Sequence, residues 1–143
     1  ARLVGATEFI NPTKISGDFA QHIANITDRG ADAVFECVGT IAIQEIAIAC
    51  TRPGLGVCCL LGIAPAGELL KIEPLALVLG RQLVSNSAGN TKVRRDVPKL
   101  VDWYLEGKIL LDPLITHTMP FERINEGFGL MRSGKSIRSV FTY

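Results

Sequence analysis

The sequence predicts an α/β protein built on a largely parallel sheet. Short apolar or β-branched runs alternate along the chain with patterns of helical period. Residues 33–38 and 57–61 are nearly continuous apolar runs, the signature of strands covered on both faces. Each is followed at once by a glycine, Gly39 or Gly62.

Taken in order, Leu3-Val4-Gly5-Ala6 reads as a helix end with Gly5 at its C-cap, and Glu8-Phe9-Ile10 as a short strand stopped by Asn11-Pro12. Phe19, Ile23 and Ile26 recur at i, i+4 and i+7, which predicts an amphipathic helix over 18–28. The strand at 33–38 ends in Gly39, and Thr40 can N-cap a helix over 41–50 whose apolar face suits burial against a sheet. Arg52-Pro53-Gly54 is a turn before the strand at 57–61, and Ala64-Pro65-Ala66-Gly67 is a turn after it. Leu69-Leu70-Lys71-Ile72 reads as a brief extra strand, 74–79 as one or two helical turns, and 81–85 as a strand broken at Ala88-Gly89. A helix over 97–105 has Pro98 in its first turn and ends at Gly107. Strand-like pieces at 109–115 flank Asp112-Pro113, a helix over 121–131 stops near Gly134, and a last strand spans 137–143.

Of the 143 residues, 48% are hydrophobic, and 15 Lys and Arg against 14 Asp and Glu leave a net charge of +1. A chain of this size is expected to bury roughly 68–70% of its unfolded surface, enough for a core without disulfides or metal. Like charges gather only in pairs such as Arg94-Arg95, so no basic face is predicted for nucleic acid. No apolar run reaches the ~20 residues of a membrane span, and no signal peptide is visible at the start, so a soluble cytoplasmic protein is expected. The chain opens without Met in helix-ending sequence, which suggests a piece of something longer. Cys37, Cys50, Cys58 and Cys59 lie in apolar segments without metal-ligand spacing and are expected to be reduced core residues. His22 and His117 have no ligand-spaced neighbours and read as structural or surface residues. Glu36, a carboxylate in a strand with no visible partner for acid–base work, reads as a structural polar contact. Trp103 and Tyr104 read as helix packing.

Several stretches carry a resemblance. Gly5-Ala6-Thr7-Glu8, Phe35-Glu36-Cys37-Val38-Gly39, Leu111-Asp112-Pro113-Leu114-Ile115-Thr116-His117, Ile124-Asn125-Glu126-Gly127-Phe128 and Arg132-Ser133-Gly134-Lys135-Ser136-Ile137-Arg138 resemble the C-terminal portion of zinc-dependent medium-chain alcohol dehydrogenases. The likeness is to the animal-type enzymes, including the glutathione-dependent formaldehyde dehydrogenase branch, and runs through the whole chain in order.

The resemblance implies hydride transfer between an alcohol and NAD, with zinc as Lewis acid. It implies a partial Rossmann-type doubly wound sheet, strands 3, 4, 5 and 6 of the order 3-2-1-4-5-6, with strand 3 at Phe9 and the others near Val34, Val57 and Leu83. Residues 1–107 would belong to the NAD-binding domain, and 108–143 to a segment that rejoins the catalytic domain. Carried over by position, Val38 and Gly39 would lie by the adenosine half of the dinucleotide. Leu61 and Asn86 would offer carbonyls, and Ala88 an N–H, to the nicotinamide carboxamide. Ile63, after Gly62, would pack against the nicotinamide ring, and Arg138 would reach the pyrophosphate. Gly39 and Gly62 also suit close ligand approach by their position after buried strands. The family usually has an aromatic residue and paired glycines where this chain has Asn86-Ser87-Ala88-Gly89-Asn90-Thr91.

The phosphate-binding GxGxxG and the acidic residue that follows it are absent, as are the ligands of both zinc ions of the family. No catalytic or metal-binding residue is therefore predicted, and the chain alone is expected to be inactive. A standalone product would leave sheet edges unpaired. The segment near Leu69 to Ile72 resembles an edge strand that pairs with its two-fold mate, which implies a homodimer with Leu75 and Val78 approaching the partner's cleft. The competing readings are a truncated dimerisation or partner-binding product and a zinc-free quinone reductase relative.

Overall fold

The computed structural model describes residues 1–143 and divides them into two units, Phe9–Asn90 and Ala1–Glu8 with Thr91–Tyr143. In the first, α1 (Phe19–Ile26) starts at Asp18, whose carboxylate accepts hydrogen bonds from the Ala20 and Gln21 amides at 2.9 and 3.5 Å. Next come β1 (Ala33–Glu36), α2 (Ile41–Cys50), β2 (Val57–Leu60), α3 (Pro74–Val78) and β3 (Gln82–Ser85). The three strands form a parallel sheet in the order β1-β2-β3. Its register sets Glu36 beside Leu60 and Leu60 beside Ser85, so the carboxyl ends of all three strands share one edge.

The apolar pattern of α2 has the predicted consequence. Ala47 and Ile48 pack on Cys58 of β2, with Val34, Leu60, Leu70, Ile72 and Leu83 around them. Thr51, fully buried after α2, donates from Oγ1 to the Ala47 carbonyl at 2.9 Å. Its own carbonyl accepts the Arg81 Nε–H at 2.6 Å, which ties the start of β3 to the end of α2.

Several expectations are corrected. Residues 8–10 form no strand, because the outer edge of β1 carries no ladder and no strand of this chain lies beside them. That edge instead borders an apolar groove of about 570 Å³ lined by Phe19, Ile23, Val34, Phe35, Ile43 and Ile46 among others. Residues 69–72 have no ladder either. Leu70 and Ile72 turn inward while Leu69 is exposed, which is strand-like alternation without a neighbouring strand. The core is thin: only Ala47, Ile48, Cys50, Cys58 and Met119 are buried apolar residues. Cys37 is exposed, since it lies beyond the end of β1 on the rim of the groove.

The second unit contains α4 (Val93–Leu105), β4 (Ile115–Pro120), α5 (Ile124–Arg132) and β5 (Arg138–Thr142). Helix α4 starts four residues earlier than its pattern predicts. The Lys92 amide donates to Asp96 Oδ2 at 2.9 Å, so a carboxylate inside the first turn reaches back to cap it. Pro98 consequently sits in the helix interior, where it has no N–H for the Arg94 carbonyl. The strand predicted at 109–115 begins only at Ile115, because Asp112–Leu114 form a 3-10 turn, with Asp112 accepting from the Tyr104 hydroxyl at 2.8 Å. β4 and β5 pair in parallel, with a bulge between Ile115 and His117. Gly127 of α5 meets the Phe141 ring so closely that any Cβ would collide with it.

Candidate functional site: the carboxyl edge of the parallel sheet

The carboxyl edge of the three-stranded sheet is organised by one acidic side chain. Glu36, the last residue of β1, is 3% exposed. Its Oε1 accepts the Val38 and Gly39 amides at 2.6 and 2.8 Å, and its main-chain carbonyl accepts those of Leu61 and Gly62 at 2.8 and 2.9 Å. Gln44 of α2 donates from Nε2 to the Gly62 carbonyl at 3.1 Å. Ser85, at the end of β3, donates from Oγ to the Leu60 carbonyl at 3.1 Å. The turns that leave β1 and β2 are thus held by one shared set of hydrogen bonds.

The two glycines serve this contact first. Gly39 has a φ of +84°, and a Cβ there would lie 2.7 Å from both the nitrogen and the oxygen of Ile63. A Cβ on Gly62 would lie 2.5 Å from the Gly39 Cα and 2.7 Å from Glu36 Oε2. What fills the Cβ position of each glycine is the neighbouring turn.

Around the joined turns, Val38 and Ile63 are 69% and 92% exposed, and Leu61 is also exposed. Beyond β3, Asn86 keeps its Oδ1 buried without a hydrogen-bond donor, and Glu36 Oε2 is in the same state. Ala88, Gly89 and Asn90 follow with φ of 48, 66 and 54°, three successive left-handed residues. Asn is among the non-glycine residues that best tolerate this conformation, which suits Asn90 to its place in this turn. Val38, Gly39, Leu61, Gly62 and Ile63 therefore come together, and Asn86 and Ala88 follow the adjacent strand. Arg138 opens β5 in the second unit, exposed and without an ion pair.

Glu36 is the structural polar contact its sequence setting suggested, but the two turns it joins were not foreseen. Gln44 was missed altogether. Its signal is a polar residue directly after the apolar run Ile41-Ala42-Ile43, seated against the sheet and 5% exposed.

Exposed apolar side chains on turns that leave the carboxyl ends of parallel strands fit a ligand with flat ring faces, as a nicotinamide dinucleotide has. Zinc is different. No group of three His, Cys, Asp or Glu side chains in the chain could hold a metal ion. His117 lies 3.0 Å from the Thr116 hydroxyl. Burial, foremost, raises the thiol pKa values of Cys50 and Cys58. No helix is long and apolar enough to cross a membrane.

Comparison with known proteins places this geometry. The chain is 43% identical to an alcohol dehydrogenase class-3 of Cereibacter sphaeroides, over 97% of its own length and 39% of that protein. It is also 43% identical to an S-(hydroxymethyl)glutathione dehydrogenase of Paracoccus denitrificans, over 97% of this chain and 38% of that protein. It thus spans about two fifths of the length of these curated relatives. Among solved structures, a benzyl alcohol dehydrogenase from Acinetobacter calcoaceticus superposes with a TM-score of 0.84 at 25% identity, covering 94% of this chain and 36% of that one. An alcohol dehydrogenase zinc-binding domain protein from Burkholderia ambifaria gives 0.86 at 25% identity, covering 97% and 37%. The parallel sheet with its ordered carboxyl edge is therefore part of a Rossmann-type fold. With the zinc-binding dehydrogenase family model matching residues 1–106, the chain belongs to the zinc-binding dehydrogenase family.

Proposed function

We propose that this chain is the coenzyme-binding portion of an oxidoreductase that transfers a hydride between an alcohol and NAD, and that it is not competent alone. The observation that carries this reading is the carboxyl edge, where Glu36 joins the turns after β1 and β2 and leaves apolar side chains exposed around them. Ligands of open α/β sheets bind outside the carboxyl ends of the strands. The 43% identity to alcohol dehydrogenases makes a nicotinamide dinucleotide the chemically apt occupant.

In this reading Val38 and Gly39 border the adenosine half, and Ile63 lies against the nicotinamide ring and keeps water from it. The Leu61 and Asn86 carbonyls and the Ala88 N–H orient the carboxamide, and Arg138 offers its unpaired guanidinium to the pyrophosphate. Bound NAD supplies the hydride acceptor. The zinc of such an enzyme is held by residues other than these. Residues 1–107 belong to the coenzyme-binding domain and 108–143 to a segment returning to the catalytic domain.

The extended segment at 69–72, with Leu69 exposed, and the exposed Leu75 and Val78 support a homodimer through edge-strand pairing. The four unpaired cysteines suit a reducing, cytoplasmic compartment. Titration of the intact protein with NADH tests the reading: saturable binding that Ile63→Asp weakens supports it, and an intact protein that binds no NADH refutes it. Equilibrium sedimentation showing a monomer at micromolar concentration would remove the homodimer.

A further inference from the structure

We propose that Glu36 is a positioning residue that fixes the two turns of the carboxyl edge relative to one another, so that the two halves of one dinucleotide bind as a single unit. The proposal rests on the cofactor reading above and names the residue on which it depends. A carboxylate that is 3% exposed is costly to bury, and a tight turn does not require one. Glu36 has a special reach: its side chain holds the Val38 and Gly39 amides, while its main chain holds those of Leu61 and Gly62.

Gln44 fastens the second turn independently, from α2 to the Gly62 carbonyl. The turns press together without side chains between them, because Gly39 and Gly62 meet backbone to backbone. Val38 stands on the turn assigned to the adenosine half and Ile63 on the turn assigned to the nicotinamide half.

Joining two weak half-ligands raises affinity only to the extent that their subsites keep a fixed separation. Removing the carboxylate should therefore affect the intact dinucleotide more than either half. Adenosine monophosphate serves as the half-ligand probe and NADH as the whole.

The experiment uses the intact protein that carries these residues. Glu36→Ala also takes the acceptor from the Val38 and Gly39 amides of the turn assigned to the adenosine half, so adenosine monophosphate affinity is expected to fall about three-fold and NADH affinity about thirty-fold or more, and the ratio of the two collapses. Glu36→Gln keeps an Oε1 acceptor for both amides and should recover most of the ratio. Glu36→Asp is one methylene shorter and should not recover it.

Gln44→Leu removes a single side-chain hydrogen bond and should lower the ratio about three-fold. It carries the same comparison if Glu36→Ala does not fold. Folded variants whose two affinities fall in parallel, or do not fall, overturn the proposal and leave the cofactor reading standing. A wild-type protein that binds neither ligand overturns the cofactor reading and this proposal together.

Discussion

At Gly62 a single added carbon would strike the backbone of Gly39, which cannot move without disturbing the Glu36 hydrogen bonds. Gly62→Ala is therefore expected to cost about 1–3 kcal/mol, the usual range for overpacking, read as a lowered urea midpoint. Cysteine reactivity gives a second check. Cys37 is exposed, whereas burial raises the Cys50 and Cys58 pKa values and so depletes their thiolates. In the isolated chain a thiol reagent at pH 8 should label Cys37 at least about ten-fold faster than Cys50 or Cys58. These raised values also favour the folded state below the ordinary thiol pKa of about 8.5, and that contribution is lost as pH rises through the folded-state values. The glycines after the strands were legible because position alone marks them. Their reason was not, since only the folded backbone shows what each one faces.

Helix α2 shows how far local chemistry reaches. Thr40 at the N-cap and an apolar stretch broken only by Gln44 and Glu45 set its limits, and the predicted and observed bounds coincide at Ile41–Cys50. Helix α4 resisted the same reading because its cap comes from Asp96, inside the helix, and Pro98 looked like a first-turn residue. The Arg95 side chain and then the Lys92 amide hold the Asp96 pKa below its usual value. Asp96 thus favours the capped helix above the ordinary carboxylate pKa of about 3.9, and the effect is lost as pH falls through the lowered value. Helix content followed by NMR should show fraying at Lys92 and Val93 on that acid side, and Asp96→Asn should remove the step. In α1, Asp18→Ala leaves the Ala20 and Gln21 amides without their acceptor and should cost about 1 kcal/mol of stability. Strand-like sequence at 8–10 and 69–72 could not become strand in this chain, because a strand is made by its neighbour as much as by its own residues.

For the molecule as a whole, surface area measures what composition could not. The chain exposes 10,791 Å², whereas a compact monomer of 15.4 kDa exposes about 7,200 Å² and two independent halves about 8,700 Å². The expected core falls short because β1 has an unpaired edge, and Phe35 beside it is 67% exposed. The isolated chain should bind a hydrophobic dye and self-associate in sedimentation runs, and a dye-excluding monomer would contradict this. The parallel order of the sheet was legible from alternating strands and helices. The open edge was not, since pairing joins residues far apart in the chain. That same separation governs how the sheet can assemble. Ala33 pairs with Val57 and Val57 with Gln82, so each ladder must close a long loop before its first hydrogen bond forms. β2 takes part in both closures and packs under α2. Its amides, Cys58 foremost, should be the last in this unit to exchange with deuterium, and the 38–39 turn, which rests on Glu36 and the turn after β2, should become protected with the closure of β1 on β2.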